Sequence, residues 1–381
     1  MNSLLFFSLH SKIFLIFLKF YGPSGLITNM KYLGFTGRFS ELIKHDDYAG
    51  YDLARVIVEH KERYTVQSDS GIYIAEITGN LRYTAKSRLD FPAVGDWVKI
   101  TMMDAENAII LSIFPRFSML ERQAIGKFGE IQVIASNIDY AFIVQSVGHD
   151  YNLNRFERYL AICYSANIQP ILILSKTDLI NNEEIKLHLK EINDRIPGVL
   201  LLPYSIENEA GFKALNDTME AYKTYCFIGS SGVGKSTIVN RLMGREVLRT
   251  EAISEHTNKG RHTTSHRELI ILPNESIVID TPGMREIGMT DNPEGIDRTY
   301  ESIAELSKTC KFSDCTHIHE KGCSVLKALD EGEITENTYN NYQKLKREQI
   351  HFSSTVHEKR QKDKEFGKII KAVLKEQSKN K

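Results

Sequence analysis

Residues Gly229 to Ser236 read GSSGVGKS, a complete G-x-x-x-x-G-K-S. The run follows an apolar stretch, YCFIG (225–229), and opens STIVNRLMG, whose apolar residues recur with a helical period. Strand, glycine loop and helix start, in that order, are the context a phosphate-binding loop needs. Gly229, Gly232 and Gly234 let the chain fold tightly. The backbone N–H groups of the stretch, those of Ser230, Ser231, Val233 and Thr237 included, can then converge on phosphate oxygens at the positive end of a helix dipole. Lys235 is placed to reach the β- and γ-phosphates, and Ser236 to ligate Mg²⁺. A second run, IVIDTPG (277–283), ends an apolar strand in Asp280 and continues to Gly283. An acidic group at a strand end suits the Mg²⁺ shell, and a glycine N–H can meet the γ-phosphate. Between the two lies KGRHTTSHREL (259–269), where Thr264, or its neighbour Thr263, offers the hydroxyl that completes Mg²⁺ coordination in a nucleotide switch.

A phosphate site does not choose its base. The stretch ILSKTDL (173–179) puts Lys176, Thr177 and Asp178 after an apolar strand, similar to the guanine-reading N-K-x-D motif with Ser175 in place of Asn. A carboxylate there accepts from guanine N1 and N2, whereas adenine would leave it unpaired. Ser175 can supply only part of the bonding of an Asn, which bears on affinity rather than on choice of base. Ser205, in PYSIENEAG, marks the loop expected to offer a backbone N–H to guanine O6. Competition by ATP would point instead to an ATPase. The motif order, base first and phosphate loop later, reverses that of an ordinary GTPase and predicts a circular permutation.

A third constellation, CKFSDCTHIHEKGC, places Cys310, Cys315, His317 and Cys323 at C-x4-C-x-H-x5-C, with His319 as an alternative imidazole. Three thiolates and an imidazole form a closed tetrahedral Zn²⁺ site, structural rather than catalytic. Three of the five cysteines fall in this stretch, which argues a reducing, cytoplasmic setting over a disulfide scaffold. Cys163 and Cys226 sit in apolar runs and read as core residues.

These motifs need elements to hold them, and 381 residues are enough for two or three domains. From 30 to 115, short runs such as DLARVIVEH and GIYIAEITG, split by Gly, Asn and Asp, predict a small OB-like barrel with Trp97 in its core. From 116 to 298, buried strands alternate with helices, as in a parallel doubly wound sheet. From 299 to 381 the chain turns polar and helical around the cysteines. The predicted architecture is therefore multi-domain α/β. Net charge is −1, but Lys344 to Lys381 carries twelve Lys/Arg against five Asp/Glu, leaving the body at −8. A basic tail on an acidic body suits a polyanion such as RNA. Composition (42% hydrophobic, 9 Pro, 24 Gly) excludes collagen and largely disordered classes. The apolar run Leu4 to Leu18 is broken by His10 and Lys12 and is short for a membrane span. We read 1–29 as an upstream extension from a misplaced start, with a membrane anchor as the alternative.

The permuted order, the preceding barrel and the following Cys/His cluster resemble ribosome-small-subunit-dependent GTPase A, the RsgA family. The resemblance runs from about Met30 to the end and includes VGDW, GSSGVGKS, GRHTT, DTPG and the cysteine segment. It implies a monomer that hydrolyses GTP to GDP during late maturation of the small ribosomal subunit, touching its rRNA and stimulated by it. The same family pattern matches Cys310, Cys315, His317 and Cys323 as zinc ligands. The rival reading is a nucleotide-gated RNA-binding scaffold with negligible turnover. After D-x-x-G, where many GTPases carry a water-orienting glutamine, stands Met284, whose thioether cannot do that work. His262, which precedes the threonines as in the family, is the internal candidate; the alternative is a group supplied by the ribosome.

Overall fold

The computed structural model describes residues 30–36, 39, 51–60, 63–123, 131–148, 151–248, 267–280, 292 and 294–353. The extension 1–29, His262, Thr263, Thr264, Gly283, Met284 and the tail beyond Ser353 lie outside them.

Strands β1 (Asp52–Glu59), β2 (Tyr64–Ser68) and β3 (Ile72–Ile77) form an antiparallel meander. β3 then pairs in parallel with β5 (Asn107–Ile113), β5 pairs with β4 (Trp97–Met102), and β4 closes on the first half of β1. Helix α1 (Gly79–Thr84) bridges β3 and β4, capped by the Thr78 hydroxyl accepting from the Leu81 N–H at 3.0 Å. Closure in the order 1-2-3-5-4 is an OB-fold barrel. Its interior takes alternate residues, among them Val56, Val66, Ala75, Val98 and Ile110, as the period of two demands. Trp97 corrects the expectation. Val98 and Ile100 point inward, so Trp97 points outward. It is buried against Met30, Leu33, Phe35 and Phe39, with the Phe35 ring edge-on at 5.0 Å.

The second unit is the sheet β10 (Leu201–Pro203), β9 (Gln169–Ser175), β8 (Tyr140–Ser146), β11 (Thr224–Ile228), β13 (Ile277–Asp280), β12 (Arg267–Ile271), in that spatial order and parallel except for β12. The hairpin β6 (Met119–Gln123) and β7 (Ile131–Ser136) leads into it. β12 also pairs antiparallel with the far end of β1 (Val58↔Glu268, Glu59↔Arg267), so barrel and parallel sheet share one ladder. Alternate strand residues feed two cores. One face packs Phe142, Val144 and Phe227 on α4 (Glu209–Thr218) and α5 (Lys235–Met243). The other packs Ala141, Ile143 and Cys226 on α2 (Leu153–Ser165), with α3 (Asn182–Arg195) alongside. Cys163 and Cys226 are fully buried there, and burial pushes the Cys226 thiol up to about 12.

The junction explains why Gly, Asp and Trp stand together at 95–97. Gly95 has φ +96°, and a Cβ there would lie 2.2 Å from the Ser136 carbonyl oxygen, so only glycine fits. Asp96, fully buried, accepts both arms of Arg116 (2.8 and 2.6 Å), the Ala93 N–H and the Ser136 hydroxyl. Arg55 is buried across the same seam. It donates to Gly95, Leu33 and Asn137 carbonyls and to Thr224 Oγ1, over the Trp97 ring. Burial pulls its pKa down to about 10; with its N–H groups engaged, it remains a cation at neutral pH.

The last helices are α6 (Glu294–Thr299), α7 (Glu301–Ser307), α8 (Ser324–Asp330) and α9 (Glu336–Ser353). They do not build a separate core: Val325, Ala328, Tyr342 and Leu345 join the cluster that holds Phe156 and Leu160 of α2. A buried carboxylate ties the same layers. Glu157 of α2 accepts Arg195 of α3 at 2.7 and 2.9 Å, the Tyr300 hydroxyl at 3.0 Å and the Asn341 amide of α9 at 2.5 Å. Each polar atom finds a partner, which is what makes a buried charge tolerable.

Candidate nucleotide and metal sites

The glycine loop leaves β11 and enters α5 at its N-terminus. Gly229 sits against β8; a Cβ there would lie 2.3 Å from the Val144 carbonyl oxygen, and its φ is +155°. Any side chain at 229 would push the loop off the sheet. Gly234 caps α5 in the left-handed region, and Lys235, Ser236 and Thr237 occupy the first turn. Nζ of Lys235 arches back over the loop and donates to the carbonyls of Gly229 (2.8 Å) and Ser230 (2.6 Å). Such a lysine stiffens the loop and holds a cation over its concave side. Val233 is buried, so only its backbone can serve a ligand; Ser230, Ser231 and Gly232 remain accessible.

The base-reading candidates meet this loop in space. Ser175, 2% exposed, donates from Oγ to the Val233 carbonyl at 2.7 Å, with the Gln145 carbonyl at 3.2 Å. The hydroxyl thus ties the turn that carries Lys176 and Asp178 to the glycine loop. Lys176 adopts φ 58°, ψ 35° and turns the chain into a short 3₁₀ helix, Thr177–Leu179, on which Asp178 is exposed. The Thr177 N–H donates to the Tyr204 carbonyl at 3.2 Å, placing the Ser205 loop beside it. Asp280 ends β13, one residue past the Cys226↔Ile279 pair with β11 and so level with Phe227, two residues before the loop opens at Gly229. A Mg²⁺ could be held there by Ser236 and Asp280.

Two further residues at the site have no motif that would expose them. Arg155 of α2 donates to Ser230 Oγ at 3.0 Å, and Arg241 of α5 grips the Ser205 loop. Each is distant in sequence from the group it touches, so spacing carries no signal of either contact.

On the opposite flank, the donor atoms of Cys310, Cys315, His317 and Cys323 all lie within 4.8 Å of one another. Sγ of Cys310 and Cys323 are 3.8 Å apart, too far for a disulfide. Nδ1 of His317 lies 3.6 Å from Cys310 Sγ and 3.4 Å from Cys323 Sγ. Nε2 of the same ring meets Ser307 Oγ at 3.1 Å, the outer-shell partner that fixes a ligating ring. The Glu320 carboxylate collects the N–H groups of Thr316, Ile318 and His319. The Thr316 hydroxyl, which also donates to this carboxylate, and then the Thr316 and His319 N–H groups hold its pKa well below the usual carboxylate range. His319 itself is exposed and outside the cluster. This is a Cys₃His metal-binding cluster.

A family model described as RsgA GTPase matches residues 113–290, and one described as 50S ribosome-binding GTPase matches residues 224–367. The chain is 39% identical over 349 residues to the small ribosomal subunit biogenesis GTPase RsgA 1 of Bacteroides thetaiotaomicron, covering 91% of this chain and 97% of that protein. It is 42% identical over 299 residues to RsgA 2 of Lactiplantibacillus plantarum, covering 78% and 84%. Two solved structures share the fold at 22% identity. YjeQ from Thermotoga maritima has a TM-score of 0.59 over 79% of this chain, and YloQ, a circularly permuted GTPase, 0.57 over 82%; each is covered to 99%.

Proposed function

The chain belongs to the RsgA family of circularly permuted GTPases, and from that premise we propose that it binds the small ribosomal subunit and couples GTP hydrolysis to late maturation and its own release. It is a ribosome-biogenesis GTPase. The observation that carries the detailed reading is the 2.7 Å bond from Ser175 Oγ to the Val233 carbonyl, which sets a guanine-type turn against a phosphate loop.

In this reading Asp178 accepts from guanine N1 and N2, the Lys176 stem covers the ring, and the loop at Ser205 meets O6. The N–H groups from Gly229 to Thr237 and the Lys235 ammonium hold the phosphates. Ser236, Asp280 and Thr264 hold Mg²⁺, which supplies charge neutralisation on the phosphates, and Gly283 faces the γ-phosphate. Zinc is the metal of the Cys₃His cluster. Bonds of about 2.3 Å to sulfur and about 2.0–2.1 Å to nitrogen, set tetrahedrally, put sulfurs about 3.8 Å apart and sulfur and nitrogen about 3.5 Å apart. The separations here are 3.8, 3.6 and 3.4 Å. All motifs come from one chain, so a monomer suffices. No helix of the described residues is long and apolar enough to cross a membrane; with free thiols, a cytoplasmic place of work fits.

Co-sedimentation with purified small and large subunits, in GDP and in a non-hydrolysable GTP analogue, tests the proposal. We expect binding to the small subunit, stronger with the analogue, and GTP turnover raised by that subunit. Equal binding in both nucleotides, a preference for the large subunit, or no stimulated turnover would overturn it; the last outcome is the scaffold. We further expect His262→Ala to lower stimulated turnover by about 10²-fold, the usual scale for a positioned acid–base group, with GTP affinity nearly unchanged. Wild-type turnover of that variant on saturating subunits would give the water-orienting role to the ribosome.

A further inference from the structure

The Ser205 loop is gripped from the phosphate side. Arg241 stands on α5, six residues after the first-turn Lys235, and its Nη1 donates to the carbonyls of Ser205 (3.3 Å) and Ile206 (2.5 Å). Its Nη2 meets Glu209 Oε1 at 2.5 Å, and the guanidinium lies 4.6 Å over the Phe212 ring. The fork is thus fixed on two carbonyls, a carboxylate and an aromatic face, although Glu209 itself is largely in solvent.

The consequence follows from peptide geometry. The carbonyl of Ser205 and the N–H of Ile206 belong to one peptide unit, which is trans, so they point to opposite edges. Holding the oxygen therefore aims the N–H. The next unit is fixed as well, its oxygen on Arg241 and its Glu207 N–H on Ser205 Oγ at 3.0 Å. Among the described residues, the Ile206 N–H has no acceptor. It stands next to the turn that carries Asp178, since the Thr177 N–H bonds the Tyr204 carbonyl.

We infer that Arg241 is a positioning residue for base recognition: by clamping the Ser205 and Ile206 carbonyls from the phosphate-binding helix, it directs the Ile206 N–H at the O6 atom of guanine. This rests on the guanine reading above and deepens it. Lysine could not replace the arginine fully, because an ammonium lacks the planar fork that spans two carbonyls and a carboxylate.

Diphosphates measure this without hydrolysis. IDP lacks the N2 amino group and reports the Asp178 contact; 6-thio-GDP keeps N1–H and N2 but offers sulfur, a weaker acceptor, at position 6. Wild type should bind IDP and 6-thio-GDP each about tenfold more weakly than GDP, the scale of one lost hydrogen bond to a committed partner. Arg241→Met, which keeps a stem for Phe212, should weaken GDP about tenfold and bring the 6-thio-GDP to GDP ratio close to one. The IDP to GDP ratio should stay where it was. Arg241→Lys should fall between. A merely structural role would weaken all three ligands in parallel and leave both ratios intact, and that result overturns the inference. A wild-type protein that does not distinguish IDP from GDP refutes the guanine reading itself. One that distinguishes IDP but not 6-thio-GDP refutes the Ile206 contact alone.

Discussion

Lys235→Ala should abolish most GTP hydrolysis, with kcat/KM down about 10³-fold and nucleotide affinity at least tenfold weaker. The ammonium stands over the loop on the Gly229 and Ser230 carbonyls, where the proposed binding mode brings the β- and γ-phosphates of the nucleotide. Removing one preorganised cation or donor from developing transition-state charge costs about 10²–10³, and here ground-state binding falls too. The fold should survive, because the loop carbonyls can turn to water and α5 keeps Ile238, Val239 and Leu242 in the core. Isothermal binding and phosphate release, with circular dichroism as the control, separate the effects. Turnover at the wild-type rate would remove Lys235, and with it the loop, from the chemistry.

Cys315→Ala should release the metal and lower the melting temperature far more than an ordinary surface change. Structural zinc contributes apparent binding energies of about 10–16 kcal/mol in small domains. Losing even 5 kcal/mol shifts the melting point by about 10–20 °C at the size dependence of ordinary domains. Here the loss should spread, because Cys323 caps α8 and α8 places Val325 and Ala328 in the core shared with α2. Guanine nucleotide binding at low temperature should persist, since the base turn and phosphate loop lie on other elements. His317→Ala should behave alike, and His319→Ala should retain one zinc per chain. Stoichiometric zinc in Cys315→Ala, or its loss in His319→Ala, would redraw the ligand set.

What the sequence disclosed followed from local rules. The glycine loop, the strand-end Asp280 and the cysteine spacing each fall in one connection between neighbouring elements, so residue type and interval mark them as candidates. The barrel was legible because its strands alternate, and the permuted sheet because its strands are apolar on both faces. Trp97 was misread for a physical reason: it begins a strand, and only the register of Val98 and Ile100 says which face is inside. Glu157, Arg55 and Arg241 left no trace. A buried charge looks like a surface charge until its partners, 38 to 184 residues away for Glu157, are placed around it. The boundary near 298 is likewise a change of composition, while the hydrophobic cluster runs straight across it.

The pairing of β1 with β12 has a consequence for synthesis. Glu59 meets Arg267 at 2.6 Å across 208 residues of chain. At elongation rates of about 5–20 residues per second, Glu59 is made roughly 10–40 s before its partner Arg267 exists. The first half of β1 closes on β4 and so can be covered early; Val58 and Glu59 must wait with an open ladder. That waiting edge is two residues long and ends in a carboxylate, which is how strand edges are kept from pairing with strangers. The salt bridge that later joins barrel to sheet thus begins as a guard, and the nascent chain carries its own protection until the partner strand is made.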